Sequence, residues 1–126
     1  MIALGALRVK LSQEYILKIK IADDITSHFN PKNLEFALNS IANRLTSLFT
    51  YPETIFIKIG FGNQLHGPGN LRETRLLFQK DFPVLEKQSL KLQVFVSKDR
   101  QEIDIEFEES LIELIFRSIA KQITHV

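Results

Sequence analysis

Apolar residues recur at intervals of three and four near both ends of the chain and at intervals of two through its middle, so helices bracket a sheet. From Ser12 onward Tyr15, Ile19, Ala22, Ile25 and Phe29 form one stripe, with Lys18, Lys20, Asp23 and Asp24 between them. Leu4, Leu7 and Leu11 carry a similar spacing backwards past Gly5, which predicts a first helix that starts before Ser12 and outruns one domain face. Asn30-Pro31 breaks the pattern and restarts it, because Asn caps a helix and Pro is tolerated at its first position. Leu34, Leu38, Ile41, Leu45 and Leu48, widened by Ala37, Ala42 and Phe49, predict a second helix. It stops at Tyr51-Pro52, since the residue before proline is pushed out of helical geometry.

The period then changes to two. Ile55, Ile57, Ile59 and Phe61 point one way and Phe56, Lys58 and Gly60 the other, in a run rich in β-branched and aromatic residues. Gly62 to Asn70 holds three glycines and a proline and reads as an exposed turn or loop. A second strand is expected within Arg72–Phe82, followed by a turn from Pro83 to Ser89. Leu90, Leu92, Val94 and Val96 alternate with Lys91, Gln93, Phe95 and Ser97, which predicts a third strand with one wet face.

A last helix is predicted from about Phe107 to Thr124, with Leu111, Ile112, Ile115, Ile119 and Ile123 apolar. Glu106, Glu108 and Glu109 at its start and Arg117, Lys121 and His125 near its end complement the helix dipole. Leu114 and Phe116 widen its apolar surface beyond a single stripe, whereas a surface helix normally buries one face. A second chain is an obvious place for that excess. Leu114, Phe116 and Ile119, helped by Leu7 and Leu11, are therefore the candidate dimer contacts. The run Arg117-Ser-Ile-Ala-Lys-Gln-Ile123 also nearly repeats Asn39-Ser-Ile-Ala-Asn-Arg-Leu45. The whole reads as one α+β domain over 1–126: helix, helix, three strands, helix.

Composition narrows the function classes. With 126 residues, 44% hydrophobic and 25% charged, the chain can bury a core but not two. Its formal net charge of +1, with basic and acidic residues interspersed, argues against nucleic acid as a partner. There is no cysteine, which excludes disulfides, thiolate metal sites and cysteine nucleophiles. The apolar start breaks at Arg8 and makes a poor signal peptide, and no run approaches the ~20 residues that span a bilayer. A soluble cytoplasmic protein with no membrane partner is expected.

Nothing in the sequence looks catalytic. The run from Gly60 to Gly69 lacks Gly-Lys-Ser/Thr and precedes a strand rather than a helix, so it reads as a hairpin connection, not a phosphate loop. His28, His66 and His125 share no ligand spacing, and His66 reads as a solvated loop histidine. An enzyme would need a cleft bringing His66 near Arg72, Glu73 or Asp81. Glu102, Asp104, Glu106, Glu108 and Glu109 lack the pattern of a calcium loop, and Asp23-Asp24 diverge on a helix. No metal and no cofactor is expected. The ten phenylalanines belong first to the core, although Phe56, Phe61, Phe78 and Phe95 are candidates to line an internal ligand cavity.

The run from Phe36 through Tyr51-Pro-Glu53 into an Ile-rich strand resembles the opening of compact GAF-like domains of prokaryotic sensor proteins, such as sensor histidine kinases. Asn70-Leu-Arg-Glu-Thr74 is similar to the stretch that opens their second strand, and Leu90-Lys-Leu-Gln-Val-Phe-Val96 to their last central strand. Phe107-Glu-Glu-Ser-Leu-Ile112 through Ser118-Ile-Ala120 resembles their final helix. The resemblance runs from about Tyr15 to Ile123 and implies a small antiparallel sheet of about three to five strands flanked by N-terminal and C-terminal helices. It implies a non-catalytic sensory or regulatory domain in signal transduction. Such a domain would be homodimeric through its first and last helices, with an effector such as a histidine kinase in cis or in trans, and could take a small-molecule ligand. Without cysteine, covalent bilin attachment is not supported. A ligand-free interaction or assembly module of the same fold is the alternative.

Overall fold

Helix α1 (Ile2–Ser27) leads into α2 (Leu34–Arg44), four strands follow as β1 (Ile55–Phe61), β2 (Gln64–His66), β3 (Thr74–Leu85) and β4 (Gln88–Ser97), and α3 (Glu106–Thr124) closes the chain. The fold is α+β. The computed structural model describes residues 2–69, 71–85, 88–100 and 104–124, with the side chains of 2–12 and 85 left aside. The strands make one antiparallel, open sheet in the order β2-β1-β4-β3.

Register explains the core. Ile55, Ile57 and Ile59 stand opposite Val96, Val94 and Leu92, and all six are buried. Phe82 adds to the same face from β3, opposite Leu90. One continuous cluster joins this face to Ala22 and Ile25 of α1, Leu38 and Ile41 of α2, and Ile112, Ile115, Phe116 and Ile119 of α3. The helices therefore flank the sheet on one side, and alternation leaves Phe56, Lys58, Gln93 and Phe95 on the open side.

The connections follow the expected chemistry. Asn30 caps the 3₁₀ turn Pro31–Asn33, its side-chain oxygen accepting from the Lys32 N–H at 3.1 Å, with Pro31 at the first turn position. Asp104 does the same for α3, accepting from the Glu106 N–H at 3.2 Å. α1 begins well before Ser12, as the leucine spacing implies.

The sheet departs from three strands. Gly62 has φ +63°, which allows a two-residue turn at Gly62-Asn63 that pairs Phe61 with Gln64 and Ile59 with His66. Residues expected to be loop thus add a short edge strand. Gly67, at φ +123°, lies so close to β1 that a Cβ there would run into the Ile57 carbonyl. β3 is longer than expected, reaching Leu85. It is also an edge strand, and it carries bulges at Leu77 and Val84, Pro83, and an inward-facing Lys80 opposite Leu92. These devices blunt edge-to-edge pairing.

Candidate functional site

α1 and α3 lie side by side and run parallel, because contacts advance together along both. Tyr15 meets Phe107 with ring centroids 4.4 Å apart, Lys18 pairs with Glu108, and the Gln122 side-chain amide donates to the Thr26 carbonyl at 3.5 Å. Lys18 and Glu108 are almost fully enclosed. An ion pair in that setting adds little net stability, but losing one partner strands the other charge. It ties α1 to α3 at one position along the seam.

The outer rim of this seam is apolar. Tyr15, Ile16 and Ile19 are exposed on α1, where Ile19 follows Tyr15 by one turn. Leu114, two turns beyond Phe107 on the same edge of α3, is 62% exposed. Sequence reasoning missed Ile16, because it falls outside the Tyr15–Ile19–Ala22 stripe and its exposure depends on which side α3 occupies.

The candidate contacts on α3 separate into two kinds. Leu114 faces solvent, whereas Phe116 and Ile119 have no exposed surface and pack in the chain's own core, Phe116 stacked on Phe82 at 5.4 Å. Neither buried side chain is presented to a second chain. The physical reason is that α3 fills the angle between α1 and β3, so it buries a wider arc than a helix lying on a flat surface. Leu7 and Leu11 fall on α1 outside the residues whose side chains are described.

On its other side α3 carries a polar network over β3. The Lys80 ammonium lies 3.2 Å from Glu109 and 3.1 Å from Glu113, and Arg117 pairs with the same Glu113. Burial by itself lowers the pKa of Lys80, but hydrogen bonds to Glu113 and Glu109, and their charges, outweigh it and hold the group above its ordinary 10.5. The hydrogen bond and charge of Lys80, with Arg117 beside them, hold the Glu113 carboxyl below its ordinary 4.5. An open groove of about 790 Å³ runs between β3 and α3, lined by Lys80, Asp81, Glu113, Arg117 and Lys121 among others. Its charges of both signs alternate, so it offers no concentrated site for an anion or a cation.

The other chemical candidates do not converge. His66 is only 5% exposed, not solvated, because β2 pairing turns it to the helix-covered face beside Ile59. Asp81 is on the open face, opposite Lys91 of β4, and Arg72 and Glu73 precede β3 at the far edge from β2. Three strand spacings, about 14 Å, separate His66 from β3, so no cleft gathers these groups. Phe61 and Phe78 pack on the helix side while Phe56 and Phe95 pair on the open side, so the four phenylalanines do not line one cavity. Glu108 and Glu109 point to different lysines, Asp24 pairs with Arg44 and with His28, and Glu102 and His125 lie outside the described residues. Among the described residues no group of three or more histidines and carboxylates could hold a metal ion, and no helix is long and apolar enough to cross a membrane.

The chain matches no family model, no curated protein and no solved structure. Its functional reading therefore rests on the geometry of the helix pair and the sheet.

Proposed function

We propose that this chain is a non-catalytic regulatory domain of GAF-like type in signal transduction, which dimerises through the outer rim of the α1–α3 seam. The observation that carries the reading is that rim itself: Tyr15, Ile16, Ile19 and Leu114 stay exposed although the core beneath them is complete. Across a two-fold axis the two helix pairs would form a four-helix bundle. A change at the sheet then reaches an effector, in cis or in trans, as a shift of α1 against α3. Lys18 and Glu108 define the resting position of that shift.

Sedimentation of the wild type and of Leu114→Glu tests the reading. A wild-type dimer that becomes a folded monomer in the variant supports it. A wild type that stays monomeric at high concentration overturns it.

A further inference from the structure

β2 covers only part of the outer edge of β1. Its pairing with Phe61, Gly60 and Ile59 ends at His66, and Gly67 then turns the chain aside. The two-residue turn makes Phe61 and Gln64 a hydrogen-bonded pair, and hydrogen-bonded and non-hydrogen-bonded positions alternate along a strand. Ile59, Ile57 and Ile55 therefore aim their N–H and C=O groups at this edge, while Phe56 and Lys58 aim theirs at β4. Two contacts agree with that direction. A Cβ on Gly67 would meet the Ile57 carbonyl, and the Ile55 N–H donates to the Pro52 carbonyl.

Two main-chain groups on the remaining stretch of edge have no partner. Pro68 comes next along the chain and has no N–H to offer. Among the described residues neither the Ile55 carbonyl nor the Ile57 N–H is hydrogen-bonded, although both residues are buried. Buried main-chain groups are rarely left so. A hollow of about 300 Å³ adjoins them. Ile55 and Ile57 reach it from one face of β1 and Phe56 from the other, so it lies against the strand's edge. Pro68 lines it too, with Asn39 and Asn43 of α2 and Thr46 just beyond.

The two unpaired groups decide what fits. In a parallel neighbour, one residue opposite Phe56 donates its N–H to the Ile55 carbonyl and accepts from the Ile57 N–H. An antiparallel neighbour would also need the Ile55 N–H and the Ile57 carbonyl, which Pro52 and Gly67 occupy. Side chains of the occupant alternate as in any strand. The residue opposite Phe56 lies beside that half-buried ring, and its two neighbours point toward α2. There Asn39 donates to the Glu35 carbonyl at 3.0 Å and keeps its side-chain oxygen as an acceptor. Among the described residues no charged side chain lines the hollow. Its volume is at the lower end of the roughly 300–1,000 Å³ of ligand pockets, which suits a short extended stretch.

We propose that this edge of β1 binds a short segment of a partner protein as a parallel strand, with an apolar residue opposite Phe56 flanked by Ser, Thr or Asn. The segment's main chain supplies the two hydrogen bonds that the edge lacks. The site involves neither α1 nor α3 and does not depend on dimerisation.

Selection of a displayed library of short random peptides on the full chain, followed by NMR with the enriched sequences, tests this. In the free chain the Ile57 amide should exchange with solvent faster than those of Phe56 and Lys58, which the ladder to β4 protects. Enriched peptides should carry an apolar residue between small polar ones, slow Ile57 exchange about tenfold, and show cross-strand contacts in parallel order. Their affinity should change little with salt. Asn43 is exposed, so Asn43→Arg obstructs the hollow without touching the core. It should weaken binding about tenfold at an unchanged melting temperature. No enrichment, antiparallel contacts, shifts confined to α1 and α3, Ile57 exchange that the peptides leave unchanged, or equal affinity for Asn43→Arg each overturn the proposal. So does slowing of Ile57 that follows protein concentration alone, since a second copy would then be the occupant.

Discussion

Lys80 occupies an inward position on an edge strand, opposite Leu92, where an aliphatic residue would extend the core. It is tolerated because Glu109 and Glu113 reach down from α3 to meet it. The folded pKa of Glu113 is depressed, so its contribution to stability is present above about pH 4.5 and is lost as pH falls through the lowered value. That of Lys80 is raised, so its contribution is full below about pH 10.5 and is lost as pH rises through the raised value. Lys80→Met should therefore lower the urea midpoint at neutral pH and flatten its decline between pH 6 and 3. An undiminished acid decline in the variant contradicts this network. At Gly67 the backbone sets the constraint: Gly67→Ala meets both a φ of +123° and the Ile57 carbonyl, and should cost about 1–3 kcal/mol, read from chemical denaturation. None of this was legible in the sequence. The glycine of a loop and the lysine of a strand acquire these roles only when β2 pairs with β1 and α3 lies over β3. His66 misled for the same reason, since three residues of strand pairing convert a loop histidine into a buried one.

Elements with a clear apolar stripe or alternation were readable from the chain: α1, α2, α3, β1 and β4 all follow from it, and α1 ends just before Asn30-Pro31, but α2 ends at Arg44 and passes into a 3₁₀ turn over Leu45–Leu48 instead of running on to Tyr51-Pro52. β3 was less so, because its bulges at Leu77 and Val84 interrupt the alternation twice, and β2 is too short to show a period. Contacts between elements leave still less trace. Lys18 on α1 and Glu108 on α3 are 90 residues apart, and each looks like an ordinary surface charge on its own helix. Their burial makes a clear expectation. Lys18→Met alone should destabilise by about 3 kcal/mol, because Glu108 is left without a counter-charge. The double variant Lys18→Met, Glu108→Leu should recover most of that loss. A double-mutant cycle by urea denaturation checks it, and strict additivity of the two single changes would contradict the coupling.

The whole molecule combines a sheet with one open face and a helix pair with an apolar outer rim. The distinction between core and rim on α3 decides how the helix pair responds to mutation. Ile119→Glu buries an unpaired charge beneath α3 and should unfold the chain, whereas Leu114→Glu should leave its melting temperature nearly unchanged. Thermal unfolding of both variants separates the two roles. The chain contains no cysteine, so Ser110→Cys, one turn before Leu114 on the exposed edge of α3, introduces a single thiol at the rim. The most direct measurement is the distance between spin labels on that thiol in solution. Dimerisation through the α1–α3 rim requires one short distance between protomers, abolished when Leu114→Glu is added. No dipolar coupling at high protein concentration, or a coupling that survives Leu114→Glu, would contradict it.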